Sequence, residues 1–423
     1  FRLLKKLSIR QRLLSIVLIV YIPLVIMGIM IYKNQNQKIE FISLEIEGSK
    51  VITVITGFNN RLAIHRGLSS RYLGGDQSSE TVSSLGKNES ELDEISNEIE
   101  KIGKSSPAKL NVSNSWEKVA RHWKKLKENY KTMTPTENFE NHTELVAECL
   151  QVISDIGDNS GLILDPNYDV YYVMDLTVYK MPFLAETLGK TRAYGIKLLS
   201  QKTVSPEEQE KILFLVQDLF FYVRFTRDSF DLARKYNPTE SILKKEDISK
   251  LIEMQENYIG VIKKEIISAK QLTMSPADYF QIATNTIIPT FELNQKVADS
   301  LVKKLEVKLD NEKKNLNFLY GVLISAFLGT IVLALVLTQS ITSQIATLVG
   351  TAKDFAEKVK EGLLEYRMSS EDIGGDFREI PPGINNIIDM MIAPIRESSH
   401  VMAEMAKGNL CEYVDGDYQG GHA

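Results

Sequence analysis

Cysteine is nearly missing from this chain: Cys149 and Cys411 are the whole complement in 423 residues. A pair that sparse excludes a fold stapled by disulfides. Proline (12) and glycine (24) are few for the length, which disfavours strand-and-turn architectures and leaves long helices. A basic excess is absent too: the net charge is −5 with 25% charged residues, so nothing points to nucleic acid as a partner. His65, His122, His142, His400 and His422 show no metal-ligand spacing, and Cys149 lacks a partner motif. There is no glycine-rich phosphate loop, nucleophile elbow or kinase signature. The sequence therefore predicts no catalytic residue, no cofactor and no metal.

Two long uncharged runs are present. Residues 13–32 read LLSIVLIVYIPLVIMGIMIY and 318–338 read FLYGVLISAFLGTIVLALVLT. At about 1.5 Å per residue each spans a bilayer core of roughly 30 Å. A cleaved signal peptide would be shorter and carry a small-residue cleavage site, so the first run reads as an anchor. Arg2, Lys5, Lys6, Arg10 and Arg12 precede it without an acid. The positive-inside rule then places 1–12 in the cytoplasm, 33–316 outside and 339–423 inside, in a two-pass protein of the cytoplasmic membrane. On that topology the two cysteines lie on opposite sides and cannot pair. The first residue is Phe, and GDYQGGHA at the end lacks a helix stop, so both ends read as cuts in a longer protein.

The outer region predicts an all-α fold. Helix starts are written as a cap followed by proline at Thr134-Pro135, Asp165-Pro166, Ser205-Pro206, Asn237-Pro238 and Ser275-Pro276. Val51, Ile55, Phe58, Leu62, His65, Ser69 and Tyr72 alternate steps of four and three, one buried stripe of a long first helix. Two long helices framing shorter ones imply two four-helix bundles stacked end to end, one nearer the membrane.

Candidate ligand contacts fall in two clusters. AIHRGLSSRYLGGD places Arg66 and Arg71 beside a core stripe; a buried arginine needs a carboxylate or an anionic ligand. The second cluster, LDPNYDVYYVMDLTVYKMPFLAETLGKTRAYG, offers Tyr171, Tyr172, Arg192 and Tyr194. Tyrosines there suit either a bundle core or a small polar pocket. The bland readings are a hydrogen-bonded core His65 and arginines paired with acids such as Asp76.

Beyond the second apolar run, Ile345, Leu348, Ala352, Phe355 and Val359 form a heptad seam ending at Gly362-Leu363-Leu364. Forty-six residues on, Ser398, Val401 and Met405 map onto Ala352, Phe355 and Val359, and Gly408-Asn409-Leu410 follows. This is an internal repeat of a helix ended by glycine with a leucine that folds back. Ile384, Ile387, Ile388, Met391 and Ile392 give another apolar helix face.

A helix, a Gly-x-Leu connector and a second helix directly after a membrane run resemble a HAMP domain. Two units, 339–393 and the start of a second at 394–423 with Pro394 as its first-turn residue, resemble those of methyl-accepting chemotaxis receptors. HRGLS is similar to the ERGLS-type signature of nitrate/nitrite-sensing helical domains, in which arginines hold the anion; that carries over to Arg66, with His65 in place of the usual acid. The resemblance implies a homodimer whose parallel HAMP-type four-helix bundle relays a small, anionic ligand's binding. Gly362, Leu363, Leu364, Pro394, Gly408 and Leu410 would be relay residues, and a coupling protein and a histidine kinase the cytoplasmic partners. The alternatives are the input half of a sensor histidine kinase or nucleotide cyclase, and a membrane-anchored structural protein.

Overall fold

The computed structural model describes residues 9–240 and 244–418. Arg2, Lys5 and Lys6, and the last five residues of the chain, lie outside the described residues. The fold is all-helical, with no strand among the described residues. It divides into two compact units: Phe1–Tyr32 with Asn317–Ala423, and Lys33–Leu316.

The Lys33–Leu316 unit is built on α1 (Ile9–Leu73) from Lys33 onward, α2 (Ser79–Ser105), α3 (Val112–Asn129), α4 (Pro135–Ser160), α5 (Tyr168–Asp175), α6 (Met181–Gln201), α7 (Pro206–Tyr236), α8 (Lys245–Ile262) and α9 (Pro276–Lys360) up to Leu316. Thr134 and Ser205 close capping boxes with Glu137 and Glu208, and the Ser275 hydroxyl accepts from the Asp278 amide. The other two cap-proline pairs do something else. Asn237 ends α7, its side chain donating to the Ala233 and Asp169 carbonyls. Asp165 ends a short 3₁₀ turn and accepts from the Asn167 amide before α5 begins. Cap residues serve turns as readily as helix starts, so the dipeptide alone does not fix which. Pro182 follows a π turn, Leu176–Lys180, that joins α5 to α6, while Pro289 sits inside an unbroken α9.

The stripe of α1 is buried from Val51 through Ser69. Between Phe58 and Arg66, α1 meets α3 through Trp116 and Trp123, α4 through His142, and α6 through Glu186 and Arg192. At Gly48 it meets Ser160 at the end of α4, whose Asn159 donates to Leu110 in the turn between α2 and α3. Lys50 reaches Glu306 of α9 at 3.5 Å. The α2–α3 pair and the α5–α9 helices thus flank α1 and α4 side by side, not end to end as the helix lengths suggested. The reason is length: α2 has 27 residues, about 40 Å, enough to return along the whole of this stretch of α1.

One buried acid in this unit carries a pH dependence. Glu45 of α1 is 0% exposed. Asp165, from the turn before α5, and Lys308, from α9, face it; Lys308 Nζ lies 2.5 Å from Asp165 Oδ2 and 3.9 Å from Glu45 Oε2. Burial first, then the Asp165 carboxylate, push Glu45 from 4.5 up to about 8. The folded chain therefore keeps a proton that the unfolded chain gives up, and stability falls as pH rises through that window. Buried His65 and His142 act in the opposite sense. Burial lowers both below 6.5, so they cost stability as pH falls through that value. Between pH 6.5 and 8 the histidines of the unfolded chain give up their remaining protons, which offsets about half of the Glu45 effect. At about 1.4 kcal/mol per pH unit for Glu45 alone, the expected net loss is roughly 1 kcal/mol. Denaturant unfolding across that window measures it, and Glu45→Gln should remove the loss.

In the other unit, Tyr21 meets Phe327 edge-on at 4.7 Å and donates to the Phe327 carbonyl at 2.9 Å, while Tyr32 lies 6.2 Å from Tyr320. The internal repeat extends to the two hydrogen bonds that close each helix. At the end of α9 the Gly362 and Leu363 amides reach Val359 and Lys358, and at the end of α10 (Ile380–Ala406) the Gly408 and Asn409 amides reach Met405 and Glu404. Each glycine takes a positive φ, 87° and 97°, a left-handed close that a side chain would strain. In the connector, Asn385 brackets the Met368 backbone with two 2.9 Å bonds, and Met368 and Ile373 are buried. Leu363, Leu364 and Leu410 do not fold back: all three are exposed, Leu410 by 75%. Two helices cannot enclose a core, so the connector's own Met368 and Ile373 take the cover available. Pro394 also departs from its expected role. It is buried inside α10, which runs through it at the loss of one backbone hydrogen bond, so no helix starts there.

Candidate functional site

Arg66 of α1 is 1% exposed and forks onto Glu186 of α6, Nη1 to Oε1 and Nη2 to Oε2, both 2.9 Å. Nη1 also donates to Thr143 of α4, and the guanidinium lies 5.5 Å from the centre of the Phe139 ring. This is the strongest geometry open to an arginine, two parallel charge-assisted bonds in a dry site. Lys190, one turn after Glu186, approaches Glu186 Oε1 at 3.5 Å from its more open side.

Arg192 is a different case. It is 6% exposed, yet among the described residues no carboxylate lies within ion-pairing distance. Its partners are the Thr284 hydroxyl at 3.3 Å, the Ala63 carbonyl at 3.4 Å and the Phe280 ring at 5.2 Å. Burial, and after it the positive charge of Arg66, bring its pKa from 12.5 down to about 10. Such a group is held against its own hydration.

Two glycines make this arrangement possible. A Cβ on Gly67 of α1 would stand 3.0 Å from Arg192 Nη2, and one on Gly189 of α6 would stand 2.5 Å from Arg66 Nη2. Each helix gives up a side chain where the other sends in a guanidinium. The result is two buried cations and one buried anion between facing helices, a net positive charge.

The remaining candidates make no hydrogen bond to either buried arginine. Arg71 is exposed and pairs with Asp76 at 2.5 Å, its guanidinium 5.8 Å from the centre of the Phe280 ring that Arg192 also meets. Tyr171 and Tyr172 belong to a ring cluster with Tyr168 and Tyr236, with no ring contact or hydrogen bond to either buried arginine. Tyr194, two positions past Arg192, faces another way and lies under Lys197 and Lys211. His65 stands in a buried line: its Nδ1 donates to His142 Nε2 at 2.8 Å, because neutral His142 gives its Nδ1 proton to the Asn138 carbonyl at 2.7 Å. Sequence reading missed Glu186, Gly67 and Gly189. A signal was there: Arg66-Gly67 on one helix, and Glu186, Gly189 and Arg192 three apart on another, share helix faces.

Residues 372–423 match the HAMP domain. The chain therefore carries the module of a signal-transducing receptor, joined to a helical unit and to two helices, α1 and α9, that contain stretches long and apolar enough to cross a membrane. The HAMP match begins in the connector, at Asp372, and takes in all of α10. The structure of the NasR transcription antiterminator is similar in fold, with a TM-score of 0.51 and 13% identity, over 80% of this chain and 87% of that one. At that identity the likeness extends to the fold alone. No curated protein matches the chain.

Proposed function

We propose that this chain is the sensing and relay part of a two-pass receptor of the cytoplasmic membrane, taking a small anion outside the membrane between Arg66 and Arg192. The carrying observation is Arg192, a buried guanidinium with a hydroxyl, a carbonyl and a ring about it but, among the described residues, no carboxylate in ion-pairing range. A ligand anion supplies the missing charge. α9 begins beside that site, with Thr284 on Arg192, and continues without a break to Lys360, so it is the element that carries the event toward the HAMP domain. A chemotaxis role, with a coupling protein and a histidine kinase downstream, is the output this reading favours. Arg192→Met should abolish the rise in melting temperature that a planar oxyanion such as nitrate gives the full chain in detergent. An undiminished rise would place the anion elsewhere.

The relay is proposed to work as a parallel homodimer. Val349, Ile387, Met390, Met391, Ile395 and Met402 are exposed apolar residues of the HAMP-containing unit, and two helices from each of two copies would bury them as a four-helix bundle. Cysteine at Leu348, Phe355 or Val359 should cross-link two copies in membranes. Monomers at all three positions under oxidation would rule the arrangement out.

A further inference from the structure

Glu186 occupies the fork that an incoming anion would need. Its two oxygens already take the pair of Arg66 nitrogens, at 2.9 Å each, in the geometry a planar oxyanion would adopt. Arg66 cannot turn to offer another edge: Gly189, the Phe139 ring and Thr143 hold its guanidinium, and it is 1% exposed. Glu186 is the partner with somewhere to go. It lines a cavity of about 450 Å³ between α4, α6 and α7, with Gln151, Ser154, Lys190 and Tyr222 among its walls. Lys190 Nζ waits 3.5 Å from one carboxylate oxygen.

We propose that Glu186 is a resident competitor, and that a ligand anion binds by displacing its carboxylate from Arg66 onto Lys190 at the cavity wall. The inference rests on the reading of Arg66 and Arg192 as the anion site. It sets specificity. A ligand must match a bidentate carboxylate on a planar guanidinium, which favours a planar oxyanion over a spherical halide. It also supplies a consequence of binding, because the direct ion pair between α6 and α1 is exchanged for one within α6, and the anion takes over the link between the two helices through Arg66 and Arg192.

Titrating the full chain in detergent with sodium nitrate, and with sodium chloride as the spherical control, at fixed ionic strength tests this. Glu186→Gln keeps the shape and removes the charge, so it should bind nitrate at least tenfold more tightly than the wild type. Glu186→Asp keeps the charge but shortens its reach to Arg66, so it should bind more tightly as well; this variant decides the matter if Glu186→Gln does not fold. Lys190→Met should weaken nitrate binding in the wild type and leave it unchanged in Glu186→Gln. Equal or weaker binding by both Glu186 variants, with Arg192→Met still abolishing it, would make Glu186 an orienting group for Arg66; the competitor proposal would fall and the anion site would stand. Binding of neither anion by the wild type or by Glu186→Gln would overturn both.

Discussion

Alanine at Gly195 is expected to destabilise the Lys33–Leu316 unit by about 3 kcal/mol, at the upper end of what overpacking a core costs. A Cβ there would stand 2.3 Å from Cζ and from the hydroxyl oxygen of Tyr279, and 2.5 Å from Cε1. Tyr279 is fully buried and has nowhere to retreat. Its hydroxyl donates to the Thr191 carbonyl at 2.9 Å and shares a 2.8 Å bond with the Tyr258 hydroxyl. Moving the ring therefore breaks a tie between α6, α8 and α9 and leaves buried polar atoms without partners. Denaturant unfolding of the full chain reads the loss. Tyr279→Phe in the same chain should not restore stability, because the ring carbon stays in the way, whereas Tyr279→Leu should recover part of it. A Gly195→Ala chain as stable as the wild type would mean that α6 and α9 can separate freely at this crossing.

Arg66→Met carries the second large expected effect. Removing one member of a buried pair leaves the other charge uncompensated, at about 3–5 kcal/mol. Glu186 is 5% exposed, and Lys190 at 3.5 Å offers partial cover, which sets the expectation at the lower end. For a unit of this size that is a fall in melting temperature on the order of 10 °C. The double variant Arg66→Met with Glu186→Met should regain most of the stability, since two apolar side chains of similar volume can replace a buried pair with little loss. Arg66 thus has a structural role that its place in HRGLS does not announce, and its substitution is a poor probe of ligand binding taken alone. Arg192→Met is the cleaner probe, because it removes a buried charge that has no carboxylate to strand.

Much of the fold was legible. The stripe from Val51 to Ser69 read as a buried helix face because a period of 3.6 with large apolar residues has few other uses. The pairs Thr134-Pro135, Ser205-Pro206 and Ser275-Pro276 marked helix starts because proline at the first turn gives up no needed hydrogen bond. The offset of 46 residues between Gly362 and Gly408 predicted two like helix ends, and the same pair of closing bonds occurs at each. These are local facts. Backbone sterics and side-chain period write them into the chain within a few turns.

What the sequence could not decide depends on which helices face each other. Arg66 and Arg192 stood first among the candidates, but Arg71, Tyr171, Tyr172 and Tyr194 were candidates beside them, since composition does not say which side chain turns inward. Glu186 read as one acid among many until α6 was laid against α1, where its carboxylate met Arg66. Gly67 and Gly189 likewise acquire their purpose from the opposite helix, each leaving room for a guanidinium it does not neighbour in sequence. The side-by-side placement of α2 and α3 along α1 came from the same level. The sequence by itself determined the helical class, the helix starts at Thr134, Ser205 and Ser275, the two apolar runs and the repeat, because each is set by interactions a few residues apart. Only the tertiary structure decided that one buried arginine is paired and the other is not, because the charge balance of a site is a sum over helices that the chain brings together from 120 residues and more apart.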